Sequence, residues 1–266
     1  MDIGSDDRLG RPKTLITFAL WDTLITENPL FEREVIGWRC VLIARALKAG
    51  GYARTDRDIG RAYNLAAREV EETWKRGGVV DNESRIRRIL EELESPLDIG
   101  RRLALQGRLE CSHSKAGIEL IRGAKELVQS LASCYRLAIV SDTWMTPGSQ
   151  LRGVLEYHQL LTSFQQCLFS DETGLSKVSS AAFVASARAF ATDPGQAIHI
   201  GDNLRADVGG AARAGIGKTV FVRRDGHPLR EADDEEGLRA TISVEKLEEV
   251  PSALELAQHT ASMRPA

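Results

Sequence analysis

Cysteine is scarce in this chain and scattered. The four present, Cys40, Cys111, Cys134 and Cys167, include no CxxC pair, and the closest two stand 23 residues apart. That spacing argues against a structural zinc site or a disulfide framework, and for reduced thiols in a cytoplasmic protein. Long apolar runs are missing too. Nothing approaches the roughly 18 uninterrupted apolar residues of a membrane span, so no membrane partner is expected. The acidic start, Met1–Asp7, has no apolar stretch of the kind a secretory signal needs. Nor is there a basic excess: 35 Lys and Arg face 38 Asp and Glu, a net charge of −3, which speaks against nucleic acid as a partner. What is present is ordinary, with 42% hydrophobic and 27% charged residues, and excludes a disordered or collagen-like chain. At 266 residues the chain suits one large domain or two modest ones, long enough to bury a core without staples.

The hydrophobic pattern changes character along the chain. Thr14–Trp21 is a short apolar, β-branched run ending at Asp22 and Thr23, as a buried strand entering a loop should. From Asn28 to about Lys115 apolar residues recur at helical spacing, as in Val35, Trp38, Val41, Leu42 and Ala46, punctuated by Gly50-Gly51, Gly77-Gly78 and Pro96. Strand-like runs then return at Leu137–Val140, Phe164–Phe169, Ala197–Ile200 and Thr219–Val222, each following a helical pattern. Strands separated by helices imply right-handed crossovers and a parallel sheet covered on both faces. The expected fold is therefore α/β, a doubly wound parallel-sheet core over 11–27 and 117–250, with an all-helical insert over 28–116. The tail after about Leu256 is expected to fray.

In such sheets ligands sit beyond the carboxyl ends of the strands. Four polar clusters fall there: Asp22-Thr23, Ser141-Asp142, Lys177, and Gly201-Asp202-Asn203 with Asp207. A hydroxyl, an ammonium and several carboxylates suit a site holding a hard cation and a phosphoryl group together. These residues resemble the four motifs of the haloacid dehalogenase superfamily. Phe18–Leu24 (FALWDTL) is similar to the first motif, Val140–Thr143 to the second, Lys177 in GLSK to the third, and GDNLRAD from Gly201 to Asp207 to the fourth. The insert directly after the first motif resembles a C1-type helical cap. The resemblance implies a magnesium-dependent hydrolase, most simply a phosphatase acting on a small phosphorylated metabolite through an aspartyl phosphate. It implies that Ser141, with Asp142 beside it, binds substrate, that Lys177 neutralises charge on the phosphoryl group, that Asp202 and the backbone carbonyl of Trp21 hold Mg²⁺, and that Asp207 supports the site.

One position breaks the pattern. The nucleophilic Asp of the first motif is Ala19 here, and a methyl group can neither attack phosphorus nor bind a metal. Two residues on, where many family phosphatases carry an acid, stands Trp21. Asp22 is an unsuitable substitute, because neighbouring side chains on a strand alternate faces; a loop-ordering hydrogen bond is its expected role. With the rest of the site intact, a phosphatase inactivated by an Asp-to-Ala change at the nucleophile is the favoured reading. A natural pseudoenzyme that binds a phosphorylated ligand or partner, and a dehalogenase or C–P hydrolase suggested by Trp21, stay open as alternatives. Val178, in place of the usual Pro, is a mild departure. The P-loop echo at Gly215–Thr219 lacks its first glycine, Ala212 standing there, and enters a strand. His199 is expected to be a packed core residue, and Trp38, Tyr63 and Trp74 mostly cap core, with a place in the substrate-pocket lining open to one of them.

Overall fold

In a computed structural model, residues 13–27, 29–112, 117–223 and 237–262 are described, with side chains except at 29–33 and 258–262. The acidic start Met1–Asp7 and parts of both expected domain boundaries lie outside them. The chain enters through β1 (Leu15–Phe18), loops round Ala19–Leu24 and forms β2 (Ile25–Glu27). Four helices follow: α1 (Pro29–Ala49), α2 (Asp56–Lys75), α3 (Asn82–Glu92) and α4 (Ile99–Glu110). Then β3 (Ile118–Leu120) returns antiparallel to β2, with Ile25 opposite Leu120. The remainder alternates: α5 (Ala124–Cys134), β4 (Arg136–Ser141), α6 (Gly148–Tyr157), β5 (Gln166–Phe169), α7 (Ser170–Thr173), α8 (Ala181–Ala189) and β6 (Ile198–Gly201). A π-helical turn over Leu204–Gly209 leads into α9 (Gly210–Arg213), followed by β7 (Lys218–Val222), β8 (Ile242–Val244) and α10 (Val250–Ser262).

Six strands form one parallel sheet in the order β5-β4-β1-β6-β7-β8. The chain runs outward from β1 to one edge, returns to β6 and runs to the other. The order therefore reverses at β1, and the crevice beyond its carboxyl end is the natural ligand position. Both faces are covered, as a parallel sheet requires. Ile16, Phe18, Leu137, Ile139, Ile198 and Ile200 pack on one side with α5, α6 and α10. Leu15, Ala138 and Val140 pack on the other with Ala182 and Phe183 of α8. The alternation of odd and even positions along β1 and β4 is what splits these residues between two layers.

The helices between β2 and β3 have a core of their own, built from Leu42, Ile43, Leu47, Ile59, Ala62, Ile86, Ile89 and Leu105 among others. Each of α2, α3 and α4 starts at a side chain that accepts a hydrogen bond from the first turn: Thr55, Asp81 and Asp98. Met145, from the loop after β4, inserts into this core. Among the described residues of this span there is no strand, as expected. Trp38 departs from expectation: it is 45% exposed, with Arg45 over its ring, because it faces away from the other helices. Tyr63 is buried. Other departures are local. β2, β3 and β8 have three residues each, too few for a readable period. The tail does not fray at Leu256, since α10 continues to Ser262. The P-loop echo packs the Gly217 backbone against the Gly195 carbonyl as β7 begins. No helix among the described residues is long and apolar enough to cross a membrane.

Two glycines in helices make a paired test. A Cβ on Gly210 would stand 2.2 Å from the Lys177 carbonyl oxygen, whereas one on Gly37 meets nothing within 4 Å. Gly210→Ala should lose about 1–3 kcal/mol of stability by overpacking. Gly37→Ala should be neutral or stabilising by up to about 1 kcal/mol from helix propensity. Urea unfolding of both variants measures the contrast.

The thiols offer a second check. Cys111 and Cys134 are exposed, whereas burial raises the Cys40 thiol and pushes Cys167 to about 11. At pH 8 a group titrating near 11 is about one-thousandth thiolate, and the thiolate is the reactive form. A disulfide-reagent titration at pH 8 should show two fast thiols and two slow ones, the slow pair released by urea.

Candidate active site

The ends of β1, β4 and β6 bring the expected residues together around one buried carboxylate, Asp207. Its Oδ1 accepts from Lys177 Nζ at 2.5 Å and faces His199 Nε2 at 3.1 Å. Its Oδ2 accepts from the backbone N–H groups of Asp202 at 3.0 Å and Asn203 at 2.9 Å. Four donors thus converge on one acid. The π-helical turn, capped by Asn203 accepting from Ala206 N–H, supplies the geometry. Gly201 permits it: a Cβ there would lie 2.3 Å from Asp207 Cγ.

The electrostatics follow from this packing. Burial pushes the Asp207 carboxyl upward, but the Lys177 ammonium and the His199 hydrogen bond outweigh it and hold the group below the carboxylate range. Burial pulls Lys177 down, and the Asp207 and Asp142 carboxylates more than compensate, so Lys177 stays charged. His199 is lowered by burial and remains neutral at physiological pH. It then presents Nε2–H to Asp207 and accepts at Nδ1 from the Thr17 hydroxyl, 2.9 Å away. His199 is indeed buried in the core, but the expectation of mere packing missed its contact with Asp207. A polar residue inside an apolar strand, three before Asp202, was the available signal.

Asp202 is buried at the end of β6, and Thr23 of the first loop donates to its Oδ1 at 2.6 Å. Ala19 is 1% exposed, and its N–H extends the β1 pairing by donating to the Ile200 carbonyl. Asp22 turns through φ 57° and accepts from Thr26 at 3.2 Å, the loop-ordering bond anticipated for it. Ser141, at the end of β4, donates to the Asp142 carbonyl at 3.1 Å. Asp142 makes hydrogen bonds within the protein. Its Oδ1 accepts from Lys177 N–H at 3.1 Å, and its Oδ2 from Trp74 Nε1 at 2.7 Å and Ser176 at 3.4 Å. Burial raises its pKa. The side chain ties the third motif and α2 to the end of β4, with its oxygens turned to the protein.

The magnesium implied by the motifs would draw on a small donor set. Ala19 offers nothing, Asp207 is saturated, and among the described residues no group of three or more His, Cys, Asp or Glu stands in a metal-holding arrangement. Asp202, buried at the end of β6, is the carboxylate left there, and Mg²⁺ is commonly held through one or two carboxylates together with waters and substrate phosphate.

Comparison with known proteins agrees with this geometry. The family described as haloacid dehalogenase-like hydrolase matches residues 14–215, and the chain belongs to that family. It is 38% identical over 61 residues to a glyceraldehyde 3-phosphate phosphatase of Methanopyrus kandleri, covering 23% of this chain and 26% of that protein. The match thus spans about a quarter of that relative's length. In structure the chain resembles a 2-haloacid dehalogenase of Pseudomonas syringae, with a TM-score of 0.64, 19% identity, and 92% and 99% of the two chains covered. It also resembles a phosphatase of Thermococcus onnurineus (TM-score 0.60, 20% identity, 91% and 97% covered) and the magnesium-bound YfnB of Bacillus subtilis (0.58, 19%, 92% and 100%). At these identities the likeness is one of fold.

Because Lys177 is buried and paired, removing its partner should be costly. Asp207→Asn is expected to lose about 3–5 kcal/mol in urea unfolding, leaving a buried ammonium uncompensated. The double variant Lys177→Met with Asp207→Asn should recover much of that loss. Equal stability of the wild-type chain and Asp207→Asn would show the pair to be dispensable.

Proposed function

We propose that this chain is a phosphatase-type member of the family, shaped for a small phosphorylated metabolite and Mg²⁺, which binds its substrate without turning it over. The carrying observation is the buried Lys177–Asp207 pair, whose acid also takes the Asp202 N–H, in a motif set that lacks its carboxylates at Ala19 and Trp21. The stretch shared with a glyceraldehyde 3-phosphate phosphatase supports the same substrate class. Retention of Ser141, Lys177, Asp202 and Asp207 favours an inactivated phosphatase over a decayed site, while Trp21 in the acid's place weighs the other way.

In this reading the Ser141 hydroxyl turns from the Asp142 carbonyl toward a phosphoryl oxygen, and Lys177 lends its remaining N–H groups to the same oxygens. Asp202 and the Trp21 carbonyl hold Mg²⁺, which when bound offsets phosphoryl charge. Helices α1–α4, within 28–116, act as a cap domain that shuts water out of the site. Covalent transfer requires an anionic nucleophile in line with the leaving oxygen, and Ala19 has none. In Ala19→Asp the new carboxylate would attack phosphorus as the bond to the leaving oxygen breaks. That oxygen would take its proton from water, because the Trp21 indole is no useful acid. The resulting acyl phosphate would then be hydrolysed. Trp21 also suits a second reading, carbon–halogen or C–P hydrolysis, in which no such acid is needed.

The test is an assay of the unaltered chain and Ala19→Asp with Mg²⁺ across sugar, nucleotide and three-carbon phosphates, with haloacids and phosphonates alongside. Negligible turnover by the first and a gain of orders of magnitude by the second are expected. Strong activity in the unaltered chain would mean another nucleophile. Inactivity of Ala19→Asp on phosphates would favour the pseudoenzyme, and activity on haloacids or phosphonates the second reading.

A further inference from the structure

The seam between the four helices and the strand ends buries two guanidinium groups. Arg39 on α1 and Arg85 on α3 are each 7% exposed. Arg39 is anchored, its Nε donating to Ser112 at 2.8 Å and Nη1 to the Tyr63 hydroxyl at 3.2 Å. Arg85 is not held in this way. Its Nε is buried with no hydrogen-bond partner, and Nη2 has one long contact, 3.5 Å to the Thr143 carbonyl. Its guanidinium stands 5.8 Å from the Trp144 ring, and no ion pair reaches it among the described residues. Burial lowers its pKa to about 10, with Arg39 adding repulsion and Tyr63, Asp81 and Asp171 offsetting part of it, so the group is still a cation at neutral pH.

A buried cation of this kind requires a compensating anion or water. Arg85 faces a small cavity shared with Trp74, Asp142, Thr143, Trp144 and Ser170, directly beyond the end of β4 where Ser141 stands. We propose that Arg85 receives a second anionic group of the substrate, so that the site selects phosphorylated metabolites carrying a carboxylate or a further phosphate. This rests on the phosphatase reading above, in which Ser141 and Lys177 hold the phosphoryl end. A guanidinium fork matches either anion through two parallel hydrogen bonds. The cavity measures about 10 Å³, room for about one water, so an anion on Arg85 requires the helices to stand further from the strand ends than they do here.

Calorimetry on the full chain tests this with two pairs of probes differing only in a carboxylate: 3-phosphoglycerate against glycerol 3-phosphate, and 6-phosphogluconate against sorbitol 6-phosphate. In at least one pair the acid should bind about tenfold more tightly, the scale of a charge-assisted hydrogen bond. Arg85→Gln should abolish that ratio while leaving the neutral-tailed phosphate unchanged and the urea midpoint no lower. Arg85→Lys, which keeps the charge but loses the fork, should retain part of it. Equal binding within both pairs, or a ratio that survives Arg85→Gln, overturns the assignment of Arg85 alone. A lowered urea midpoint with the ratio intact would mean that Arg85 only clamps Thr143 and Trp144. Glycerate binding as tightly as 3-phosphoglycerate, lost in Arg85→Gln, overturns the phosphate reading while keeping an anion site. No binding by any probe overturns both.

Discussion

Everything at the carboxyl ends of the strands depends on the need to compensate one buried negative charge. Asp207 lies on a π-helical turn, against a glycine that leaves it room, and collects Lys177, His199 and two backbone N–H groups. Those bonds fix the β6 loop, bring the third motif to the fourth and keep Lys177 charged. His199 extends the network through Thr17 into β1. An acid and a lysine so fully satisfied deep in the protein offset much of each other's desolvation cost.

A second acid does comparable work in the other direction. Asp142 joins Trp74 of the helical segment to Ser176 and Lys177 of the core. Around it, Asn82 reaches the Met145 carbonyl and Gly77 lies against Ser179. The four helices are thus tied to the strand ends by polar contacts, with Met145 as the apolar peg. Polar seams are the kind that part and reform, unlike large apolar interfaces. Such a seam suits a segment that must admit a ligand.

Ala19 sits in this frame without disturbing it. Its backbone pairs with β6, its methyl is covered, and Thr23 still reaches Asp202. The scaffold holds because its charges balance around Asp207 rather than around the nucleophile position. An alanine at position 19 is therefore compatible with the fold and with the network around Asp207.

From the sequence alone the three-residue β2, β3 and β8 were not legible, whereas the five longer strands with their intervening helices, the helical run after the first strand and the polar clusters beyond the strands were. Local periodicity and motif spacing carry them, and both are properties of the chain itself. The same reading anticipated the loop-ordering bond of Asp22. It fell short where partners come from distant segments. Trp74, 68 residues from Asp142, donates to one of its oxygens, a partner that no motif spacing announces. His199 reads as packing until a turn eight residues on brings Asp207 to its ring. Trp38 reads as core because a helix pattern gives a face but does not say what covers it. Only the tertiary structure decides these, since a side chain's hydrogen bonds and burial depend on which remote elements meet it.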